Sequence, residues 1–351
     1  MTRLVSRRGD LSGEKADLIV HFHFEGDDSP ASATDPRFRE AITAVLKGDR
    51  FEGKADASLL WHGDGRRPAS RYLVQGLGRR ESFGPDVLHR AAAAAGSKGL
   101  GLKVRRAGVA LAPPSAWGLK PEDAVRTAAG GFLYGCYRFD KYLSTATSAG
   151  GPAELAVGTQ KADPGQFREA LQEVRVVDRV LRLARDLVSE HAGYLHPGRM
   201  AEVARREARR AGIECRIRDE AEMRRLGMGG MLGVARGSEH PAVIAHLRYR
   251  PRRAGSRKTP KVVLVGKGVT FDAGGISLKQ ADGMEAMKAD MSGSAAVLAT
   301  MLALPGLKVP VEVHGLLMLV ENMPDGRAYR PGDILRIHNG KTVEIKSTDA
   351  E

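Results

Sequence analysis

At 351 residues, with 42% hydrophobic and 28% charged residues, the chain has a globular composition with room for two ordinary domains, which excludes a disordered protein. Aromatic residues make up only 5%, so stacking platforms for single-stranded nucleic acid do not dominate it. The net charge of +13 leaves phosphate-bearing partners open, and part of it sits in LRYRPRRAGSRKTPK (247–261), an acid-free run whose Pro and Gly equally suit a solvated loop.

The opening residues, MTRLVSRRGDLSGEKADLIV, lack the apolar stretch of a signal peptide. DLIVHFHF (17–24) and RYLVQGLG (71–78) read as strands, and PDVLHRAAAAAGSKG (85–99) as a helix that stops at glycine. KVRRAGVAL (103–111) and AELAVGT (153–159) read as further strands, with STATSAGGPA (144–153) a loosened stretch between them. Asp163-Pro164 supplies a cap and first-turn proline for a long helix whose buried stripe is Phe167, Leu171, Val174, Val177, Leu181, Ala184 and Val188. A second helix, 197–212, turns Met200, Val203, Ala204, Ala208 and Ala211 inward, and IECRIRD (213–219) follows as a strand. KVVLVGKGV (261–269) has the continuous apolar run of a strand buried on both faces. SGSAAVLATMLAL (292–304) reads as a helix, VPVEVHGLLMLVEN (309–322) as a strand, and DILRIHNGKTVEI (333–345) as a hairpin turned at Asn339-Gly340. The fold class is α/β with two domains: 1–160, a linking helix over 161–190, and 191–351. The longest apolar runs are too short for a bilayer, and the two cysteines, Cys136 and Cys215, suit a reducing compartment, so the expected location is the cytoplasm.

Unusual residues gather near the ends of the later strands. VGKGVTFDAGGISLKQADGMEAMKADM (265–291) holds Lys267, Asp272, Lys279 and Asp290, and IKSTDAE adds Asp349 and Glu351. A lysine at the end of an apolar strand is costly without compensation, and glycines around Asp272 let backbone approach an ion. Four carboxylates and an amine could hold two divalent cations, with some carboxylates bridging. Each residue alone also has an ordinary reading, as turn aspartate or surface lysine. Gly266-Lys267-Gly268 lacks the spacing of a phosphate loop. His21-Phe22-His23 puts two imidazoles on one strand face, where packing is a plainer role than ligation.

Taken together, VGKGVTFDAGGISLK, MKADMSGSAAV, NMPDGRAYRPGD and TDAE resemble the metal-site signature of the M17 metallopeptidases, the leucyl aminopeptidases, with GFLYGCYRFDKY (131–142) and RDLVSEHA (185–192) matching further upstream. The resemblance implies a macro-domain-like first domain and a catalytic second domain with two divalent ions, Mn2+ or Zn2+. It implies that Lys267, Asp272, Asp290 and Glu351 hold one ion and Asp272, Asp349 and Glu351 the other. Lys279 would stabilise oxygen charge in the tetrahedral intermediate, and Met287 would line an apolar pocket for the substrate's first side chain. Lys267 would ligate as a neutral amine. The implied substrates are peptides with a free N-terminus, and the implied assembly is a homohexamer. Ser347 and Ser189 stand where the family has Asn. In the family TDAE continues into Gly-Arg, whose Arg holds a carbonate that acts as general base. The sequence therefore resembles a catalytic domain cut short, expected to be weak or inactive alone. A DNA-binding accessory role, supported by the basic run, and an inactive interaction module are the alternatives.

Overall fold

The computed structural model describes residues 2–63, 65, 67–145, 150–160, 164–251 and 260–351. The Asp163 cap, the middle of the Ser/Ala/Gly stretch and most of the basic run lie outside the described residues. The chain divides into two units, Met1–Asp178 and Arg179–Glu351.

The first unit runs β1 (Arg3–Arg8), β2 (Leu18–Phe24), α1 (Pro36–Gly48), β3 (Ser58–His62), β4 (Arg71–Gly78), α2 (Pro85–Gly101), β5 (Arg106–Ala110), α3 (Pro114–Trp117), α4 (Pro121–Gly135), β6 (Glu154–Thr159), and then enters α5 (Arg168–Ser189). Its six-stranded sheet has the order β1-β6-β5-β2-β4-β3, parallel except where β3 meets β4. β2 is central and buried at all seven positions because helices cover both faces. Leu18, Val20 and Phe22 face the α2 and α4 side, while Ile19 faces Phe38, Ile42 and Leu46 of α1.

His21 and His23 point to the α1 side and are packed there. The His21 ring lies 4.9 Å from that of Phe38 and the His23 ring 6.0 Å from that of Phe51. His21 Nδ1 is 2.8 Å from Ser32 Oγ. Among the described residues neither imidazole joins a group with metal-ligand spacing.

Two expectations shift here. α2 ends on a glycine as expected, but at Gly101 rather than Gly99. A Cβ at Gly96 would sit 2.0 Å from Phe132 O, and one at Gly135 would sit 1.9 Å from Ala93 O. The glycines thus let α2 and α4 meet backbone to backbone. The buried stripe of α5 also differs. Phe167, which precedes the α-helix in a short 3-10 turn, joins the first unit's core with Leu171 and Val174. Val177 and Leu181 are 38% and 40% exposed, whereas Val180 and Leu187 are buried. The stripe expected at three-to-four spacing holds through Val174 and is displaced by one residue beyond it, to Val180 and Leu187.

The second unit continues with α6 (Pro197–Ala211), β7 (Glu214–Arg218), α7 (Glu220–Arg225), α8 (Gly229–Val234), β8 (Val243–Tyr249), β9 (Lys261–Asp272), α9 (Ser292–Ala303), β10 (Glu312–Asn322), β11 (Ile334–Arg336) and β12 (Thr342–Glu344). α6 buries Met200, Val203, Ala204 and Ala208 and ends at Gly212 in the left-handed region. The main sheet is mixed, in the order β7-β8-β10-β9, with β10 antiparallel to β8 and parallel to β9. β9 is therefore an edge strand among the described residues, and its first half is open: Val263 and Val265 are 57% and 63% exposed. Burial on both faces, which its apolar run predicts, holds only from Gly268 to Thr270. β11 and β12 form the small hairpin around Asn339-Gly340. Of the described arginines of the basic run, Arg248 on β8 pairs with Glu312 at 2.6 Å and Arg250 with Glu214 at 3.5 Å. Among the described residues no helix is long and apolar enough to cross a membrane.

Burial drives the His21 pKa down from 6.5 to about 4 against the pull of Asp10. Between those values the unfolded chain binds the extra proton, so stability falls as pH falls. This group alone should remove about 2 kcal/mol on going from about pH 7 to pH 5. His21→Gln should flatten that loss in urea unfolding; an equal pH slope in both proteins would exclude His21 as its source.

Candidate metal centre

The centre is built where β9 and β10 end. Lys267 lies within β9 between Gly266 and Gly268, which are glycines because α9 lies directly on the strand. A Cβ at Gly266 would meet Ser294 Cα at 2.6 Å, and one at Gly268 would meet Ser294 Oγ at 2.7 Å. Ser294 Oγ donates to Gly266 O at 2.8 Å and pins the helix there. Asp290 immediately precedes α9, where the helix N-terminus favours a negative charge.

Asp272 closes β9, opposite Asn322 across a register shift in the parallel pairing. Gly274 and Gly275 then have φ of 86° and 64°, folding the chain back sharply. Gly274 N donates to Asp272 Oδ1 at 2.9 Å. Thr348 holds the segment carrying Asp349 and Glu351 against this turn. Its Oγ1 donates to Gly274 O at 2.6 Å and accepts from Ser277 N at 2.8 Å. Its carbonyl accepts from Asn322 Nδ2 and from Tyr329 OH, each at 2.9 Å. Thr348 and Asn322 are fully buried and Tyr329 nearly so.

The charged groups meet inside this frame. Lys267 Nζ lies 2.9 Å from Asp290 Oδ2 and 2.8 Å from Glu351 Oε1. Lys279 Nζ lies 3.0 Å from Asp272 Oδ2 and pairs closely with Asp349. One oxygen each from Asp272, Asp290 and Glu351 lie within 4.8 Å of one another. Burial lifts the Asp272 carboxyl, but donors from Gly274, Lys279 and Asn322 outweigh it and leave its pKa below the usual range. Burial, with Asp272 adding to it, wins over the Lys267 hydrogen bond at Glu351 and holds that carboxyl above its usual range. The hydrogen bond to Asp349, then that to Asp272, raises Lys279 despite partial burial. Lys267 is lowered by burial and raised more by Asp290 and Glu351, for a net rise. Tyr329, buried and facing three carboxylates, is pushed up to about 12.

All six charged residues expected from the sequence are thus brought to one place. Met287 sits half-buried in the 3-10 turn before Asp290, its carbonyl accepting from Asp290 N at 3.2 Å. Ser347 Oγ accepts from Asp349 N at 3.2 Å. Asn322, Tyr329 and the clamp at Thr348 escape single-sequence reasoning. The one usable signal is a polar Asn closing an apolar strand; Lys267, expected at such an end, instead lies mid-strand with its side chain 50% exposed. The donor set fits a hard divalent cation: three oxygens converge, and Glu351 Oε2 is buried without a partner.

A parallel α/β unit followed by a mixed-sheet unit with a lysine–carboxylate centre at its strand ends defines a two-domain α/β protein with a candidate cation site. Residues 182–351 match the sequence profile of the cytosol aminopeptidase family catalytic domain, and residues 18–146 that of its N-terminal domain. A probable cytosol aminopeptidase of Geobacter sp. (strain M21) is 40% identical over 303 residues, covering 86% of this chain and 60% of that protein. The bottromycin maturation enzyme BotP in complex with Mn superposes with a TM-score of 0.79 at 36% identity, over 95% of this chain and 66% of that one. A mutant tomato leucine aminopeptidase gives a TM-score of 0.86 at 26% identity, over 100% of this chain and 68% of that one. The chain belongs to the cytosol aminopeptidase family, M17. It spans 60 to 69% of the length of the curated relatives it matches.

Gly275→Ala should report on the frame. Its φ is 64°, and a Cβ would lie 2.8 Å from Asn322 Oδ1 and 3.0 Å from Thr348 Oγ1. A loss of about 2 kcal/mol in urea unfolding is expected, and an unchanged midpoint would contradict the clamp geometry.

Proposed function

We propose that this chain carries the metal centre of a metal-dependent aminopeptidase that removes N-terminal residues, leucine and other apolar ones preferred, from peptides. The observation that carries the reading is the convergence of Asp272, Asp290 and Glu351 within 4.8 Å. In this reading Lys267, Asp272, Asp290 and Glu351 hold one divalent cation, and Asp272, Asp349 and Glu351 a second, Mn2+ or Zn2+ at each. When bound, the cations bind the substrate's free α-amine, polarise its carbonyl and supply an activated water.

The chain's own residues do the rest. Asp272 and Glu351 would serve both cations, and Gly274 N and Asn322 Nδ2 both orient the first. Lys267 would hold a cation through its neutral amine, in place of its present contacts to Asp290 and Glu351. Lys279 keeps its proton, held by Asp272 and Asp349, and presents a charge to the oxygen that becomes negative as water adds to the carbonyl. Met287 forms part of the wall for the first side chain, which favours apolar residues. A Mn-bound relative of similar fold supports the choice of ion. The same reading puts the protein in the cytoplasm and assembles its full-length form as a homohexamer.

The test is hydrolysis of a leucyl chromogenic substrate by protein stripped of metal and reloaded with Mn2+. Leucine release should require a free amine, so the N-acetylated substrate should not turn over. Lys279→Ala should lower kcat about 10²- to 10³-fold with Mn2+ content unchanged. Turnover that needs no added metal, or a variant as active as wild type, would falsify these assignments.

A further inference from the structure

We propose that Asn322 is a positioning residue for this centre: its side-chain amide commits one oxygen of Asp272 to the protein and ties that carboxylate to the Thr348 carbonyl. The inference rests on the reading of Asp272 as a ligand and adds how its orientation is set.

Asn322 ends β10, directly opposite Asp272 at the shift in pairing register, and is fully buried. Nδ2 donates to Asp272 Oδ1 at 3.0 Å and to Thr348 O at 2.9 Å. Both neighbours are pure acceptors, so only the nitrogen of the amide can face them, and both of its protons are used. Asp272 Oδ1 therefore has two fixed donors, Gly274 N and Asn322 Nδ2. Oδ2 faces Lys279 and is the oxygen left for metal. The amide links two segments far apart in sequence: Asp272 is 50 residues away and Thr348 is 26.

The opposite end of the amide shows that this placement is not a by-product of good packing. Asn322 Oδ1 is buried with no partner among the described residues, the penalty of a stranded acceptor. An apolar residue of similar shape avoids that cost but loses the donor to Asp272. Aspartate keeps the shape but sets a second carboxylate against Asp272. Only an amide donates twice from this position.

Tyr329 provides the control, because its hydroxyl donates to the same Thr348 carbonyl without touching Asp272. Mn2+ affinity is measured by isothermal titration on the full 351-residue chain for wild type, Asn322→Ala, Asn322→Ser and Tyr329→Phe, with the urea midpoint of each metal-free protein alongside. The Asn322 variants should bind Mn2+ about ten- to a hundredfold more weakly, and Tyr329→Phe should stay close to wild type. Folded Asn322 variants with wild-type affinity overturn the inference and leave the metal reading intact. Equal weakening by Tyr329→Phe overturns it too, since the carbonyl anchor would then be what matters. No saturable binding by wild type removes both.

A second measurement needs no variant. The chain has two asparagines, Asn322 and the exposed Asn339, so selective 15N-asparagine labelling yields two side-chain amide pairs. The Asn322 pair should exchange with solvent far more slowly than the Asn339 pair in metal-free protein, and should shift when Zn2+ is added. Equally fast exchange, or a pair indifferent to Zn2+, sinks the proposal even if every variant fails to fold.

Discussion

Like charges held close together must be compensated, and that requirement organises the second unit. At about 4 Å and an effective dielectric near 20, two carboxylates repel by about 4 kcal/mol. Asp272, Asp290 and Glu351 are held at such separations, two of them with side chains almost wholly out of solvent. Lys267 and Lys279 are interleaved among them, each touching two carboxylates. Neither lysine could do so without a backbone that brings four stretches of chain together. The left-handed turn at Gly274–Gly275, the four-way bonding of Thr348 and the seat of α9 on β9 are the means.

The same logic explains why small residues crowd this region. Where side chains carry the chemistry, backbone has to approach backbone, and Gly266, Gly268, Gly274 and Gly275 each stand where a methyl group would strike a neighbour. A phosphate loop also uses glycines to expose backbone N–H groups, but here they admit a helix and a turn. That difference is visible in what lies beside them: Ser294, Thr348 and Asn322, all buried and all hydrogen-bonded.

Much of this was legible before any coordinates. The central strand LIVHFHF, the β4 and β5 runs, the amphipathic α6 and the Asn-Gly hairpin follow from local pattern, and the six charged site residues follow from their long motifs. The failures have a common cause, which is that periodicity records burial and not its source. The run KVVLVGKGV is apolar enough for a strand covered on both faces, yet Val263 and Val265 face outward on an edge. Beyond Val174 the stripe of α5 shifts by one residue, with Val180 and Leu187 buried where Leu181 and Val188 were expected. Asn322 and Tyr329 stayed hidden because their roles depend on partners as distant as Asp272 and Thr348, and no local rule links such positions.

The seam between α2 and α4 has a bearing on how variants of this protein should be judged. Alanine is ordinarily the gentlest change in a helix, better than glycine by about 1 kcal/mol. At 96, 131 and 135 that ranking inverts, since the added carbon would overlap Phe132 O, His89 O or Ala93 O. No rotamer change can relieve an overlap with main chain, so the two helices would have to part. A library randomised at these three codons and sorted for folded protein should come back as glycine, and a return of alanine would show that the seam can open.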